Sequence, residues 1–167
     1  MNQPSVLRMA LLFLSFPLGA CATNGAPGRS VAGQKTTVLF MCPHGGAKSL
    51  VAACYFNRRV TELSLPYEGV AAAAEDPYKS VPEPVAEFLE REGFDVRSFK
   101  PRSTTDRDLR SAARTISIGC DIGKLDYGTQ SIESWDDVPM MSENLEGSVE
   151  SIRSHIEQLI EQLHTDR

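Results

Sequence analysis

The sequence predicts a three-layer α/β domain: a parallel sheet of about four strands with helices on both faces and flavodoxin-like winding. Three observations predict it. Short apolar runs rich in β-preferring residues alternate with segments of helical period. The central run is apolar throughout, as in a strand covered on both faces. A glycine-bearing loop joins the first run to the first helix, the junction that parallel βα units require.

Ahead of the fold lies a segment of different character. Residues 9–18 form an apolar run after Arg8 and end in Gly19, Ala20 and Cys21. The run suits the core of a secretory signal peptide over residues 1–20 and is too short to span a bilayer. Residues 21–35 carry Gly, Pro and small polar residues without apolar period, the composition of a flexible tether. The folded domain is expected over residues 36–167, and a chain of 167 residues has room for one such domain.

Residues 37–41 read as a buried strand bounded by Pro43 and the pair Gly45 and Gly46. From Ser49 to Glu62 the period turns helical, with Leu50, Ala53, Cys54 and Val60 on one face. Residues 67–73 read as a second strand. Pro82 and Pro84 open a helix that carries Val85, Phe88 and Leu89 and stops at Gly93. Residues 94–99 are expected to be extended. Thr105 and Asp108 have capping-box spacing and open a short helix to Ala113. Residues 115–118 read as the next strand, closed by Gly119. Val149, Ile152, Ile156, Leu159, Ile160 and Leu163 form the apolar stripe of a last helix.

Composition narrows the function. The 41% hydrophobic and 23% charged content excludes a mostly disordered chain, and a net charge of −5 gives no footprint for nucleic acid. Cysteines at 21, 42, 54 and 120 are too scattered for a disulfide scaffold, and no C-x-x-C pair suggests a structural zinc. The reading therefore calls for no metal and no cofactor.

The chemistry concentrates in the loop over residues 42–49. Gly45 and Gly46 allow successive N–H groups to turn inward. The helix that follows adds unpaired N–H groups and the positive end of its dipole, and Lys48 adds a full charge. A tetrahedral oxyanion fits a cradle built from residues 44–48: His44, Gly45, Gly46, Ala47 and Lys48. Cys42 stands at its base, where that field favours a thiolate nucleophile.

Residues 38–57 resemble the opening of the low-molecular-weight protein tyrosine phosphatases and of the thioredoxin-coupled arsenate reductases. Their signature is Cys, five residues, Arg, then Ser or Thr, directly after the first strand. The resemblance continues through residues 100–109, through residues 114–120 ending in Cys120, and through Trp135, Asp136, Asp137 and Pro139 ahead of the last helix. It implies that Cys42 attacks phosphorus, that Ser49 supports the thiolate and that a cysteinyl-phosphate forms. It also implies, on the reductase side, that Cys120 attacks Cys42 and a thiol reductant then restores the pair. Residues 18–21 are similar to the lipobox of bacterial lipoproteins, which implies lipidation at Cys21. The lipid would anchor the protein on the periplasmic side, at the outer rather than the inner membrane. Ala20, Cys21 and Ala22 also suit an ordinary cleaved signal.

The chain departs from that pattern twice. Lys48 stands where the family has Arg, so a rigid two-pronged clamp becomes a point charge. The Asp-Pro pair that protonates the leaving group falls near Met140 and Met141, which leaves Asp137, with Asp136 beside it, as the candidate general acid. Three readings follow: a phosphatase acting on phosphomonoesters, phosphotyrosine among them; an arsenate reductase using Cys42 and Cys120; and a catalytically impaired protein that binds an oxyanion or a phosphoprotein.

Overall fold

A computed structural model describes residues 35–123, 125 and 131–165. The expected signal peptide and the tether up to residue 34, Cys21 among it, lie outside the described residues. Four strands form one sheet in the order β2-β1-β3-β4: β1 (Thr36–Cys42), β2 (Tyr67–Ala73), β3 (Arg114–Ser117) and β4 (Ile132–Ser134). All three pairings are parallel. Four helices join them: α1 (Lys48–Glu62), α2 (Glu83–Arg91), α3 (Asp106–Ser111) and α4 (Leu145–Thr165).

Strand alternation divides the core. Val38, Phe40 and Cys42 of β1 face a large apolar layer shared with α1, α2 and α4. Leu39 and Met41 face a smaller one with Leu109 and Ala112 around α3. The apolar stripe foreseen for α4 is buried along its whole length. Thr105 and Asp108 form the expected capping box on α3. Gly93 adopts a φ of +83° just past α2.

One expectation is refined. Residues 94–99, expected to be extended, make only a single bridge at Asp95, and the N–H of Phe99 returns to the carbonyl of Val96 in a turn. Phe94, Val96 and Phe99 are buried and pin this connection to the core. The fourth strand is instead β4, three half-exposed or exposed residues at the sheet edge with Ile132 as its one apolar side chain. Among the described residues, no helix is long and apolar enough to cross a membrane.

Candidate active site

The site lies beyond the carboxyl end of β1, where β1 stands between β2 and β3. Residues 42–49 turn from β1 into α1, and the turn is held from behind by backbone. The carbonyls of Cys42, Pro43 and His44 accept from the N–H groups of Ala74, Glu75 and Tyr78 at 3.0, 2.9 and 3.1 Å. A trans peptide points its N–H opposite its carbonyl. The N–H groups of His44 and Gly45 therefore face the concave side of the loop.

Gly45 makes the turn possible. Its φ is +69°, and a Cβ there would lie 2.8 Å from the backbone nitrogen of Ala73. At Gly46 a Cβ would meet the Pro101 ring at 2.9 Å, so this glycine lets the 101–105 segment close against the loop. Helix α1 then begins without a side-chain cap at Ala47 and without an acid in its first turn. Its first N–H groups are left for something else to satisfy, which is the condition for an anion site.

Cys42 is 3% exposed, and its Sγ lies 3.1 Å from the Oγ of Ser49, which is wholly buried. A serine hydroxyl at that distance donates to sulfur once the thiol ionises. The Cys42 thiol, the Ser49 hydroxyl and the start of α1 thus meet at one place.

Lys48 is also brought to the site, but its ammonium has a partner. Its Nζ donates to the carbonyl of Val138 at 2.8 Å, and the residue is 7% exposed. Burial pulls its pKa below the usual lysine range, and the charges of Cys42, Cys120 and Asp136 push back. Gly119, at φ +62°, leaves room for it; a Cβ there would sit 3.1 Å from Nζ. In this geometry Lys48 ties the cradle to the loop that follows β4, so the expectation of a cation committed to the oxyanion is modified.

His44 lies on the wall of the cradle. Its Nδ1 donates to the carbonyl of Asp76 at 2.8 Å, and its ring packs on Tyr78 with centroids 4.5 Å apart. Asp137 is not delivered to the cradle. Both its carboxylate oxygens contact Nε2 of His155, at 2.8 and 2.9 Å, and that imidazole stacks on Trp135. Asp137, expected as the general acid, instead meets a partner on α4, on the other side of the loop. His155 of α4 thus packs against buried Trp135.

Cys120 is a free, partly buried thiol. Its Sγ is 3.1 Å from the Oγ of Ser117, and it packs beside the smaller core layer. Burial pushes its pKa up; the bond from Ser117 opposes this, and the charges of Cys42 and Glu75 add to it. Cys54 is buried in the core, as expected.

A cavity of about 310 Å³ opens above Cys42. Tyr78, Pro84 and Val85 wall one side, and Met140, Met141 and Leu145 the other. The sequence reading missed these walls. A faint signal was the adjacent pair Met140 and Met141 where an acid was sought.

No family model matches the chain, and no curated protein matches it. Solved structures do. The thioredoxin-dependent arsenate reductase of Corynebacterium glutamicum superposes with a TM-score of 0.67 at 21% identity over 82% of this chain, which spans 66% of that protein. A low-molecular-weight protein tyrosine phosphatase from T. tengcongensis gives 0.60 at 20% identity, covering 77% of this chain and 99% of the other. The YwlE arginine phosphatase of Geobacillus stearothermophilus gives 0.66 at 13% identity, covering 78% and 94%. The fold is the one shared by low-molecular-weight phosphatases and arsenate reductases.

Proposed function

We propose that this protein is a cysteine-dependent phosphatase acting on phosphomonoesters through a cysteinyl-phosphate intermediate. One observation carries the reading: a buried cysteine at the end of β1 shares a 3.1 Å contact with Ser49 at the uncapped start of α1. The Cys42 sulfur attacks phosphorus, and the bond to the leaving oxygen breaks with its electron pair on that oxygen. The N–H groups of the cradle hold the three remaining phosphoryl oxygens. Ser49 donates to sulfur and eases its return as a leaving group when water hydrolyses the intermediate.

Arsenate reduction is the second reading, favoured by the free thiol of Cys120 within electrostatic reach of Cys42. It asks Cys120 to attack as a thiolate, which burial opposes. It also asks for a thiol reductant to reopen the disulfide. Phosphate transfer asks for neither.

We also propose that the domain is exported and held on the periplasmic side by a lipid on Cys21. Incorporation of labelled fatty acid into the wild type and not into Cys21→Ala tests this.

The test of the chemistry is rapid mixing of the fully reduced full-length protein with a nitrophenyl phosphate, beside Cys42→Ser. A burst of nitrophenol that needs Cys42 is expected. No burst, while phosphate still protects Cys42 from alkylation, would leave the protein as a reductase or a binder.

A further inference from the structure

Resting on the phosphatase reading, the walls of the cavity say which phosphomonoesters can react. A general acid must lie within hydrogen-bond reach of the leaving oxygen. That oxygen sits opposite Cys42, in the cavity bounded by Pro84, Val85, Met140, Met141 and Leu145. Among the described residues, no carboxylate lines this cavity. The nearby acids are not among its lining residues: Asp137 is held by His155, and Asp136 and Glu75 are exposed, with their charges felt by Lys48 and Cys120 respectively.

The two nitrogen groups at the cavity are also engaged. The Nδ1 proton of His44 goes to the Asp76 carbonyl with the ring against Tyr78, and the Lys48 ammonium goes to the Val138 carbonyl. The rest of the lining is mostly thioether, aliphatic and aromatic surface, with the weakly acidic hydroxyls of Tyr78 and Ser142 as its other polar groups. Tyr78 and Met140, 41% and 57% exposed, carry that apolar surface out to the rim.

We propose that the leaving group departs from this site unprotonated, so that the enzyme selects apolar, uncharged aryl phosphates of acidic phenols. The Cys42 sulfur forms the S–P bond, the P–O(aryl) bond breaks, and the phenolate takes the electron pair. It collects its proton from water after leaving the cavity. The apolar walls accept the ring, and among the described residues the cavity offers no carboxylate that would read a positively charged substituent on it. Phosphotyrosine, whose phenol is as weak an acid as tyrosine itself (about 10), belongs at the slow end of this series.

The experiment measures the burst rate constant of the reduced full-length protein across phenyl phosphates graded by the acidity of their phenols. Phosphotyrosine is included. The burst reports formation of the intermediate alone, so slow hydrolysis does not mask it. The expected result is a steep fall, by roughly 10²–10⁴ from nitrophenyl phosphate to phosphotyrosine, the contribution a positioned acid would otherwise make. Asp136→Asn is expected to leave every rate unchanged. Met140→Asp is expected to raise the rate on phosphotyrosine and flatten the series. A flat series in the wild type, or a loss confined to weakly acidic phenols in Asp136→Asn, would overturn the inference and leave the phosphatase standing. No Cys42-dependent burst with any substrate would remove the phosphatase reading itself.

Discussion

Two loops meet at the cavity, and they are built by different means. The loop over residues 42–49 is set by backbone. Its carbonyls are paired to the 74–78 segment, Gly45 supplies the left-handed turn, and the uncapped start of α1 closes it. The loop over residues 135–145 is set by side chains. Trp135 is buried in the core, Lys48 holds the Val138 carbonyl, Ser148 donates to the Pro139 carbonyl at 2.9 Å, and His155 holds Asp137. The first kind of loop keeps its chemistry when side chains vary. The second depends on which side chains hold it, and here they turn its one paired carboxylate, Asp137, toward α4.

The sharpest way to break this comparison is Gly45→Ala. The added Cβ meets the nitrogen of Ala73, a backbone atom of β2 that cannot step aside. The left-handed penalty alone is about 1–2 kcal/mol, and the clash adds to it. We expect a clear loss of stability in denaturant and loss of phosphate protection of Cys42 from alkylation. Full protection in this variant would mean that the backbone does not hold the anion.

Next in size is Lys48→Met, which keeps the stem and removes the charge. It strands the buried carbonyl of Val138, at a cost of about 1–3 kcal/mol. If Lys48 serves mainly as the tether between the loops, burst rates should fall while phosphate protection at Cys42 changes little. An equal loss of phosphate protection would show the ammonium acting on the anion directly. Lys48→Arg restores the family's residue, yet the space bounded by Gly119 and Val138 is fitted to the smaller group. It is therefore expected to disturb the late loop rather than to improve turnover.

The same contrast explains what could be seen in the sequence. Strands β1, β2 and β3 announce themselves by apolar runs, and α4 by its stripe. Strand β4 does not, because a three-residue edge strand with only Ile132 to bury has almost no pattern to show. Phe94 and Val96 have strand spacing, but the segment makes a single bridge at Asp95 before the chain turns at Phe99. In the site, Cys42, Ser49 and the glycines are legible because their roles follow from neighbours within one turn. The directions taken by Lys48, His44 and Asp137 are not. Their partners lie 90, 32 and 18 residues away, at Val138, Asp76 and His155. No local pattern encodes a choice between two such partners.

A smaller effect tests how far the backbone loop depends on its support. The 101–105 segment packs Pro101 against Gly46, and the carbonyl of Arg102 receives the N–H of Ala73. Thr105 and Asp108 anchor the end of that segment through the capping box, with Arg102 bidentate on Asp108. Thr105→Ala should cost about 1 kcal/mol and leave phosphate protection nearly intact. The acid limb carries a second signature. Burial raises the Asp108 carboxyl, but Arg102 and Thr105 outweigh it and hold its pKa below the ordinary carboxylate value. A depressed carboxylate stabilises the fold above its unfolded pKa and loses that contribution as pH falls through the folded one. Asp108→Asn should therefore be less stable than wild type at neutral pH, and the gap should close in acid. A gap that stays constant with pH would show that Asp108 acts by shape and not by charge.

The least disruptive variant is the one that separates the two loops most cleanly. Asp137 is exposed, and an amide in its place still reaches His155, so Asp137→Asn should alter stability by about 0–1 kcal/mol. The loop would stay where Trp135, Lys48 and Ser148 put it. If the geometry is right, the burst rate on nitrophenyl phosphate and on phosphotyrosine alike should match the wild type. A selective loss on phosphotyrosine would mean that the His155 contact opens during turnover and swings Asp137 to the leaving oxygen. The late loop would then be a moving acid carrier and not a fixed wall, and its side-chain tethers would be the parts that release.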